Sequence, residues 1–488
     1  MQVPVHRKAT RFLPDPSRVI ARFMYTNDER GKSLISNVLH MDDNQVDIAL
    51  SQLLRGYSRR HRNISQIFDA HFTNLNHLFA DLGVDPNQIS QSRRALIGAY
   101  FTMEYSIESA AFFNPSVVED PDQSELGPNE KRLIFSFRAT GEGHISSIVF
   151  RSGVLDANCD FSIEPVGKML AEAERVKRNV YHKQTFIKKL DEMSVFNNKV
   201  SQLFVLEMLN DEFTYGELKR AIEKIKVSRK LSPKRQTMID EMLWLAKSHY
   251  ELQFSLDSAI SERVIFPVSE IERNGIEDAR FVKFTDDDGK VTFYATYTAY
   301  DGKTILPKLM ATDNFYHFKT MPLHGAIAQN KGMALFPRKV NGKYAMLCRL
   351  DGVNNYIAYS DQVNIWQEAK LLQGPKYPWE FVQIGNCGSP IETKEGWLVI
   401  THGVGPMREY VLGVALYDLD EPEKEIGRMK TPLISPNEEE REGYVPNVVY
   451  SCGAIVHNGQ LVIPYGMSDC ASTYASVDLN ELLQEIKR

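Results

Sequence analysis

Gly275-Ile-Glu-Asp-Ala-Arg-Phe-Val-Lys-Phe-Thr-Asp-Asp-Asp-Gly-Lys-Val-Thr-Phe-Tyr-Ala-Thr-Tyr-Thr-Ala-Tyr-Asp-Gly302 decides how the chain is read. Ala279-Arg-Phe-Val-Lys-Phe284 and Val291-Thr-Phe-Tyr-Ala-Thr-Tyr297 are rich in aromatic and β-branched residues and read as strands. Asp288-Gly289 between them supplies the positive φ that a tight hairpin turn needs. The unit recurs. Phe336-Pro-Arg-Lys-Val340 meets Lys343-Tyr-Ala-Met-Leu-Cys-Arg349 across Asn341-Gly342, and Ser389-Pro-Ile-Glu392 meets Trp397-Leu-Val-Ile-Thr-His402 across Glu395-Gly396. Gly453-Ala-Ile-Val456 meets Gln460-Leu-Val-Ile-Pro-Tyr465 across Asn458-Gly459, and an earlier copy pairs Pro115-Ser-Val-Val118 with Leu133-Ile-Phe-Ser-Phe-Arg138.

The four units of the C-terminal half recur about every 50 to 65 residues, a period within the range of propeller blades. Each continues into a further strand, as in Ile357-Ala-Tyr-Ser-Asp361 or Val411-Leu-Gly-Val-Ala-Leu-Tyr-Asp418. Such a sheet cannot bury both faces alone, and radial stacking solves that. The expected fold is mainly β: a five-bladed β-propeller with an N-terminal helical region and a helical insertion between the first and second blades. Its expected parts are an N-terminal helical region (1–113), a first blade (114–163), the insertion (164–262) and the remaining blades (263–488).

The helical expectation rests on spacing. Val46, Ala49, Leu50, Leu53 and Leu54 recur at helical intervals behind a cap at Asp42 or Asp43. Further helices are expected over 63–82 and 88–112, with Arg55, Arg59, Arg60 and Arg62 as a solvated helix end. Within 164–254, Thr214-x-x-Glu217 is a capping box, and Ser232-Pro233 caps a helix whose Met238, Met242 and Trp244 read as core.

The 488 residues carry 43% apolar and 25% charged side chains, enough for a substantial core. A net charge of -6 gives no reason to expect nucleic acid or an anionic membrane as partner. No apolar run is long enough to span a bilayer, and no secretory signal opens the sequence, so a cytoplasmic location is expected. The five cysteines are scattered without Cys-x-x-Cys spacing and read as buried thiols rather than a zinc site or disulfide framework. Gly141-Glu-Gly143 is not a nucleotide fingerprint, because a strand follows where a phosphate-binding helix would be needed.

In a propeller the innermost strands converge on a central funnel. Taking the apolar second strand of each hairpin as innermost places Arg138, Thr298, Arg349, His402 and Tyr465 there, and loops add His144, Arg151, Glu277, Asp278, Lys331, Glu380 and Asp469. That mixture of cations, carboxylates and aromatics suits a polyhydroxylated substrate and a small anion better than a metal. Structural alternatives stand beside it: Asp278 pairing with Arg280, Arg349 pairing with Asp351, His402 as a core histidine, and Asp469 as a hairpin residue. Glu368 and the run 438–440 read as solvent-facing.

The C-terminal half resembles glycoside hydrolase family 130, the mannoside phosphorylases and mannosidases. The resemblance is carried by Gly275-Ile-Glu-Asp-Ala-Arg280, Leu335-Phe-Pro-Arg-Lys-Val-Asn-Gly-Lys-Tyr344, Ile384-Gly385, Ser389-Pro-Ile-Glu-Thr-Lys-Glu-Gly-Trp-Leu398, Thr401-His-Gly403, Val445-Pro-Asn-Val-Val449 and Tyr465-Gly-Met-Ser-Asp469. It covers roughly 264–488 and more weakly 114–153, and the helical regions suggest a longer subgroup. The resemblance implies an inverting phosphorylase that transfers mannose from a β-mannoside oligosaccharide to phosphate, releasing α-mannose 1-phosphate. Phosphate is then a co-substrate, and neither cofactor nor metal is implied.

By the same resemblance Asp278 is the general acid, acting through a sugar hydroxyl and kept protonated by burial or by Glu277. Arg151, Arg349, Lys331 and His402 are assigned to phosphate, and His144, Glu277, Tyr297, Glu380, Tyr465 and Asp469 to the sugar. Lys331 departs from the pattern, since an arginine is expected there. Lysine holds phosphate only as a point charge. That leaves open a β-mannosidase in which Glu380 activates water, and a noncatalytic glycan-binding propeller is the third alternative. The helical regions are candidate surfaces for a homo-oligomer.

Overall fold

The computed structural model describes residues 3–176, 180–184, 186, 187, 190, 204–228, 231–302 and 305–488. Strands dominate it. The N-terminal helices are Asp28–Leu39, Asp43–Tyr57, Ile64–Thr73, Asn76–Leu82 and Gln91–Tyr100. Asp42 and Gln45 form a full capping box on the second. Ile35, Val46, Phe72, Leu78, Phe79, Leu96 and Ile97 share one core. The helix expected to run to 112 stops at Tyr100, because Thr102–Ser106 pairs with Val19–Phe23 as a two-stranded sheet. The expected 63–82 helix is broken into two. Of the arginines near its start, Arg55, Arg59 and Arg60 are exposed as expected, Arg60 forking onto Glu104, and Arg62 is half-buried and pairs with Asp257 and Glu262.

The sheets repeat one plan, an antiparallel meander in chain order with the first strand at one edge. One runs Gln383–Asn386, Gly396–Val404, Tyr410–Tyr417, Glu425–Arg428; another runs Ala334–Leu335, Tyr344–Cys348, Asn355–Ser360, Ala369–Gln373. A third runs Val449–Tyr450, Gln460–Met467, Ala471–Asp478 and takes its outer strand from the start of the chain, His6 opposite Ser476. Ala111–Glu119, Lys131–Thr140 and Ser146–Leu155 begin a 12-stranded sheet that reaches Gly275–Thr285 through the single pair Gly275 and Ser146. It continues through Val291–Tyr300, Ile305–Thr312 and His317–Pro322.

Asn341-Gly342 and Asn458-Gly459 have φ of 51 and 76°, and 47 and 75°, the paired left-handed residues of a two-residue hairpin. The Asp288-Gly289 turn is longer, since Thr285 is the residue that pairs with Val291. Residues 164–254, read as helical, also contain short strands. Ala171–Glu172 pairs with Arg263–Ile265, and Tyr250–Gln253 pairs with His317–Pro322. The helices Tyr215–Ser228 and Pro233–Ser248 carry the expected caps at Thr214 and Ser232. Met238 and Met242 are buried, and the Trp244 side chain lies outside the described residues.

Apolar cores join the two parts of the 12-stranded sheet and each sheet to the next. Ile134 and Phe150 pack with Phe281 and Ala295, and Phe284 and Leu309 with Met346 and Trp366. Ala345 and Leu347 pack with Trp397 and Val399, Leu398 and Ile400 with Leu461 and Ile463, and Phe135 and Phe137 with Val462 and Tyr474. Each fully buried Leu, Ile or Phe contributes about 1.5–3 kcal/mol. These contacts fix the edge strands, and the edge strands position the site.

Candidate active site

Asp278 sits in the edge strand Gly275–Thr285 with φ +52°, at a bulge where pairing slips between Glu277 and Arg280. A bulge re-aims a side chain out of the alternation, and Asp tolerates the left-handed backbone better than most residues. Asn114 is placed the same way in the edge strand Ala111–Glu119, with φ +49° at the slip between Phe113 and Ser116. Pro115 beside it has no N–H to give the ladder. The two irregularities face each other, and Asn114 Nδ2 donates to Asp278 Oδ1 at 2.7 Å.

Cations surround this pair. Arg138 Nη2 lies 2.8 Å from Glu277 Oε1 and its Nη1 3.6 Å from Asp278 Oδ1, while its Nε donates to Ser146 Oγ at 2.9 Å. Lys331 Nζ lies 2.5 Å from the other Glu277 oxygen. Arg280 donates to the Asn386 carbonyl at 3.2 Å, to the Asn386 side-chain oxygen, and to the Tyr450 hydroxyl at 2.7 Å. Asn386 in turn donates to the Gly332 carbonyl at 2.8 Å. A Cβ built on Gly332 (φ +85°) would lie 3.7 Å from Arg349 Nε and 3.8 Å from Arg280 Nη1. Lys331-Gly332 is therefore flanked by two guanidiniums from different sheets.

Arg349 also lies beside His402, with Nη1 3.3 Å from His402 Nε2. The Gln383 carbonyl oxygen accepts from both, and its nitrogen donates to Gly352 O at 3.2 Å. Among the described residues Arg349 Nε is buried without a hydrogen-bond partner, as are the Nε atoms of Arg62, Arg94 and Arg428. What sets Arg349 apart is its place beside Lys331 and Arg280, where a planar guanidinium can fork onto an anion.

Burial alone would raise the pKa of Asp278, but Arg138, Lys331, the Asn114 amide and Arg280 outweigh it and hold the carboxyl below 3.8. The expectation that Asp278 is kept protonated by its surroundings is thereby corrected: the free site holds it ionised. Asp469 goes the other way. Burial, then the Asp278 charge, push it up to about 6, with Arg138 and Arg408 opposing. Burial, followed by the Arg349 and Arg280 charges, keeps His402 well below 6.5 and therefore neutral.

Of the residues expected at the site, Asp278, Glu277, Lys331, Arg349, His402 and Asp469 come together, with Arg138. His144 is exposed, its ring 5.6 Å from that of Tyr444. Four expectations are corrected. Arg151 is three residues beyond Ile148, which stands opposite Arg138, so alternation turns it to the other face of the sheet. There it joins Arg18 on the buried Glu108, at 2.9 and 2.8 Å. Tyr297 donates to Glu272, which also holds Lys308 and Tyr250 in a fully buried network. Tyr465 donates to Glu440 at 2.6 Å, and Glu440, read as solvent-facing, is fully buried. Glu380 is buried too, accepting from the backbone N–H of Lys376 and Tyr377 and pairing with Arg428.

Two of these corrections share a cause: Tyr297 and Tyr465 lie on strands interior to their sheets. Much of the site is instead supplied by the strand that precedes each of these. Asn114, Arg280, Gln383, Asn386 and Tyr450 were missed for that reason, although proline after Asn114 inside a strand signals an edge or bulge. The alternative pairings for Arg349 and Asp278 are not the ones made. Asp351 instead accepts from Val353 N, Asn354 and the Tyr356 hydroxyl.

The structure thus brings a carboxylate pair, Glu277 and Asp278, against a cluster of cations from several strands. Residues 245–488 match the model of glycoside hydrolase family 130, described as β-1,4-mannooligosaccharide phosphorylase. The 1,2-β-oligomannan phosphorylase of Thermoanaerobacter sp. (strain X514) is 34% identical over 218 residues, 44% of this chain and 72% of that protein. The β-1,2-mannobiose phosphorylase of Listeria innocua is 31% identical over 253 residues, 50% of this chain and 68% of that one. A solved β-1,2-mannobiose phosphorylase from Listeria innocua, in complex with β-1,2-mannobiose, overlays with a TM-score of 0.47 at 21% identity, covering 78% of this chain and 93% of that one. The chain belongs to glycoside hydrolase family 130.

Proposed function

We propose that this chain is an inverting β-mannoside phosphorylase: it transfers the terminal mannose of a β-mannoside oligosaccharide to phosphate, releasing α-mannose 1-phosphate. The observation that carries this reading is the flanking of Lys331-Gly332 by Arg280 and Arg349, next to the carboxylate Asp278. A bound phosphate needs several fixed cations, and a sugar reacting with it needs a proton donor on the leaving oxygen.

The fold reading that goes with it is a five-bladed propeller. The apolar cores between successive sheets support it, the last returning from Val462 and Tyr474 to Phe135 and Phe137. The strand His6–Arg7, outermost on the final sheet, would close the ring.

In this mechanism a phosphate oxygen attacks the anomeric carbon from the face opposite the leaving oxygen, the C–O bond breaks, and the proton reaches the leaving oxygen from Asp278 through a sugar hydroxyl. The free site holds Asp278 ionised through its cations. Phosphate brings negative charge to those same cations, so its arrival raises the proton affinity of Asp278. Acid function is thereby tied to phosphate binding. Asn114 fixes the carboxylate, and Glu277 fixes Arg138 and Lys331 against it.

The β-mannosidase alternative needs a carboxylate able to activate water. Glu380, the candidate base, is enclosed by backbone N–H groups and Arg428, which disfavours that reading. Incubating a panel of β-mannobioses with and without phosphate tests the proposal: α-mannose 1-phosphate forms only with phosphate present.

A further inference from the structure

We infer that Tyr444, braced by His144, is the platform on which the leaving-group sugar rests. Tyr444 is 70% exposed, whereas Phe113, Tyr450 and Tyr410 are buried or half-buried. Its ring lies tilted beside that of His144, with centroids 5.6 Å apart and planes 31° from parallel, and stays mostly exposed.

Both members of the pair are tethered to the reacting groups. Val445 N donates to Ser468 O at 3.0 Å and Ser468 N to Val448 O at 2.7 Å, so the Tyr444 segment is laced to the residue preceding Asp469. Gly443 lies so close that a Cβ there would overlap the Ser468 carbonyl. On the other side His144 N donates to Gly141 O at 3.1 Å, and the Tyr105 hydroxyl holds Glu142 O at 2.8 Å. Two residues beyond His144, Ser146 accepts from Arg138, the partner of Glu277. The ring is therefore a fixed wall at the outer end of the carboxylate cluster.

A pyranose presents a C–H face that packs on an aromatic ring, and aromatic side chains commonly line such sites with few polar groups. The mannose that reacts must lie at Asp278, deeper than the rim. The sugar at the rim is the one that leaves. This inference rests on the reading of the site as a β-mannoside site and assigns the acceptor end of it.

Calorimetric titration in an Asp278→Asn background without phosphate, where turnover is slowed and its co-substrate absent, tests it with β-1,2-mannobiose, β-1,4-mannobiose and mannose as probes. Tyr444→Ala should weaken the tighter-binding disaccharide about ten-fold, the range of one aromatic contact, and leave mannose unchanged. Tyr444→Phe should retain the parental affinity. An unchanged disaccharide affinity in Tyr444→Ala, an equal loss for mannose, or a loss in Tyr444→Phe would overturn the platform alone. If neither disaccharide binds the parent, the mannoside reading falls and the platform with it.

Discussion

Asn114 and Asp278 both adopt left-handed backbone conformations at bulges in adjacent edge strands, and the amide of one donates to the carboxylate of the other at 2.7 Å. Strained, non-glycine backbone of this kind costs of order 1–3 kcal/mol per residue and collects at functional sites. Asn114→Ala should lower kcat by about 10- to 100-fold, through a misplaced carboxylate, while the melting temperature changes little. Asp278→Asn should cost more, about 10²- to 10⁴-fold, as expected for loss of a proton donor. Steady-state kinetics beside thermal melts separates the two.

Arg349 offers a planar fork, held between Gln383 and His402, with one N–H unpaired. Arg349→Lys keeps the charge but not the fork. The KM for phosphate should rise about ten-fold, with the KM for the mannoside within two-fold. Initial rates with each substrate varied in turn give both constants.

The raised pKa of Asp469 has a definite sign. Between the unfolded value of 3.8 and the folded value of about 6, the folded chain holds a proton that the unfolded chain has lost. Stability contributed by this group therefore falls as pH rises through that window, and the full penalty is present above it. Asp469→Asn should melt higher than the parent at pH 7.5, and the gain should vanish at pH 4. Calorimetric melts at the two pH values read this directly.

Arg151 was expected to bind phosphate, yet it shares the buried Glu108 with Arg18. Breaking one partner of a buried ion pair costs about 3–5 kcal/mol. Arg151→Met should accordingly lower the unfolding midpoint in denaturant, while any folded fraction keeps its KM for phosphate. A selective rise in that KM would restore Arg151 to the site.

What the sequence makes legible follows from what alternation and turns encode. The Asn341-Gly342 and Asn458-Gly459 hairpins are readable because a local dihedral requirement selects their residues. Asp278, Lys331, Arg349 and His402 are readable through the motifs around them. Which strand of a hairpin lies at the sheet edge depends on packing between sheets, which no local pattern carries, and Tyr297 and Tyr465 were misplaced for that reason. Arg151 and Arg138 look alike in sequence and differ only in the face on which register puts them. Asn114 and Asp278 escape the alternation altogether, because a bulge shifts the face at the residue it exposes.

The central claim is that phosphate, held by Arg280, Lys331 and Arg349, is the nucleophile in a reaction that Asp278 assists. The most direct measurement is proton NMR of the first-formed product from a β-mannobiose, run with and without inorganic phosphate. The account predicts α-mannose 1-phosphate, formed in step with phosphate consumed, and no free mannose from the transferred unit. Release of that unit as free mannose at the same rate without phosphate would contradict it.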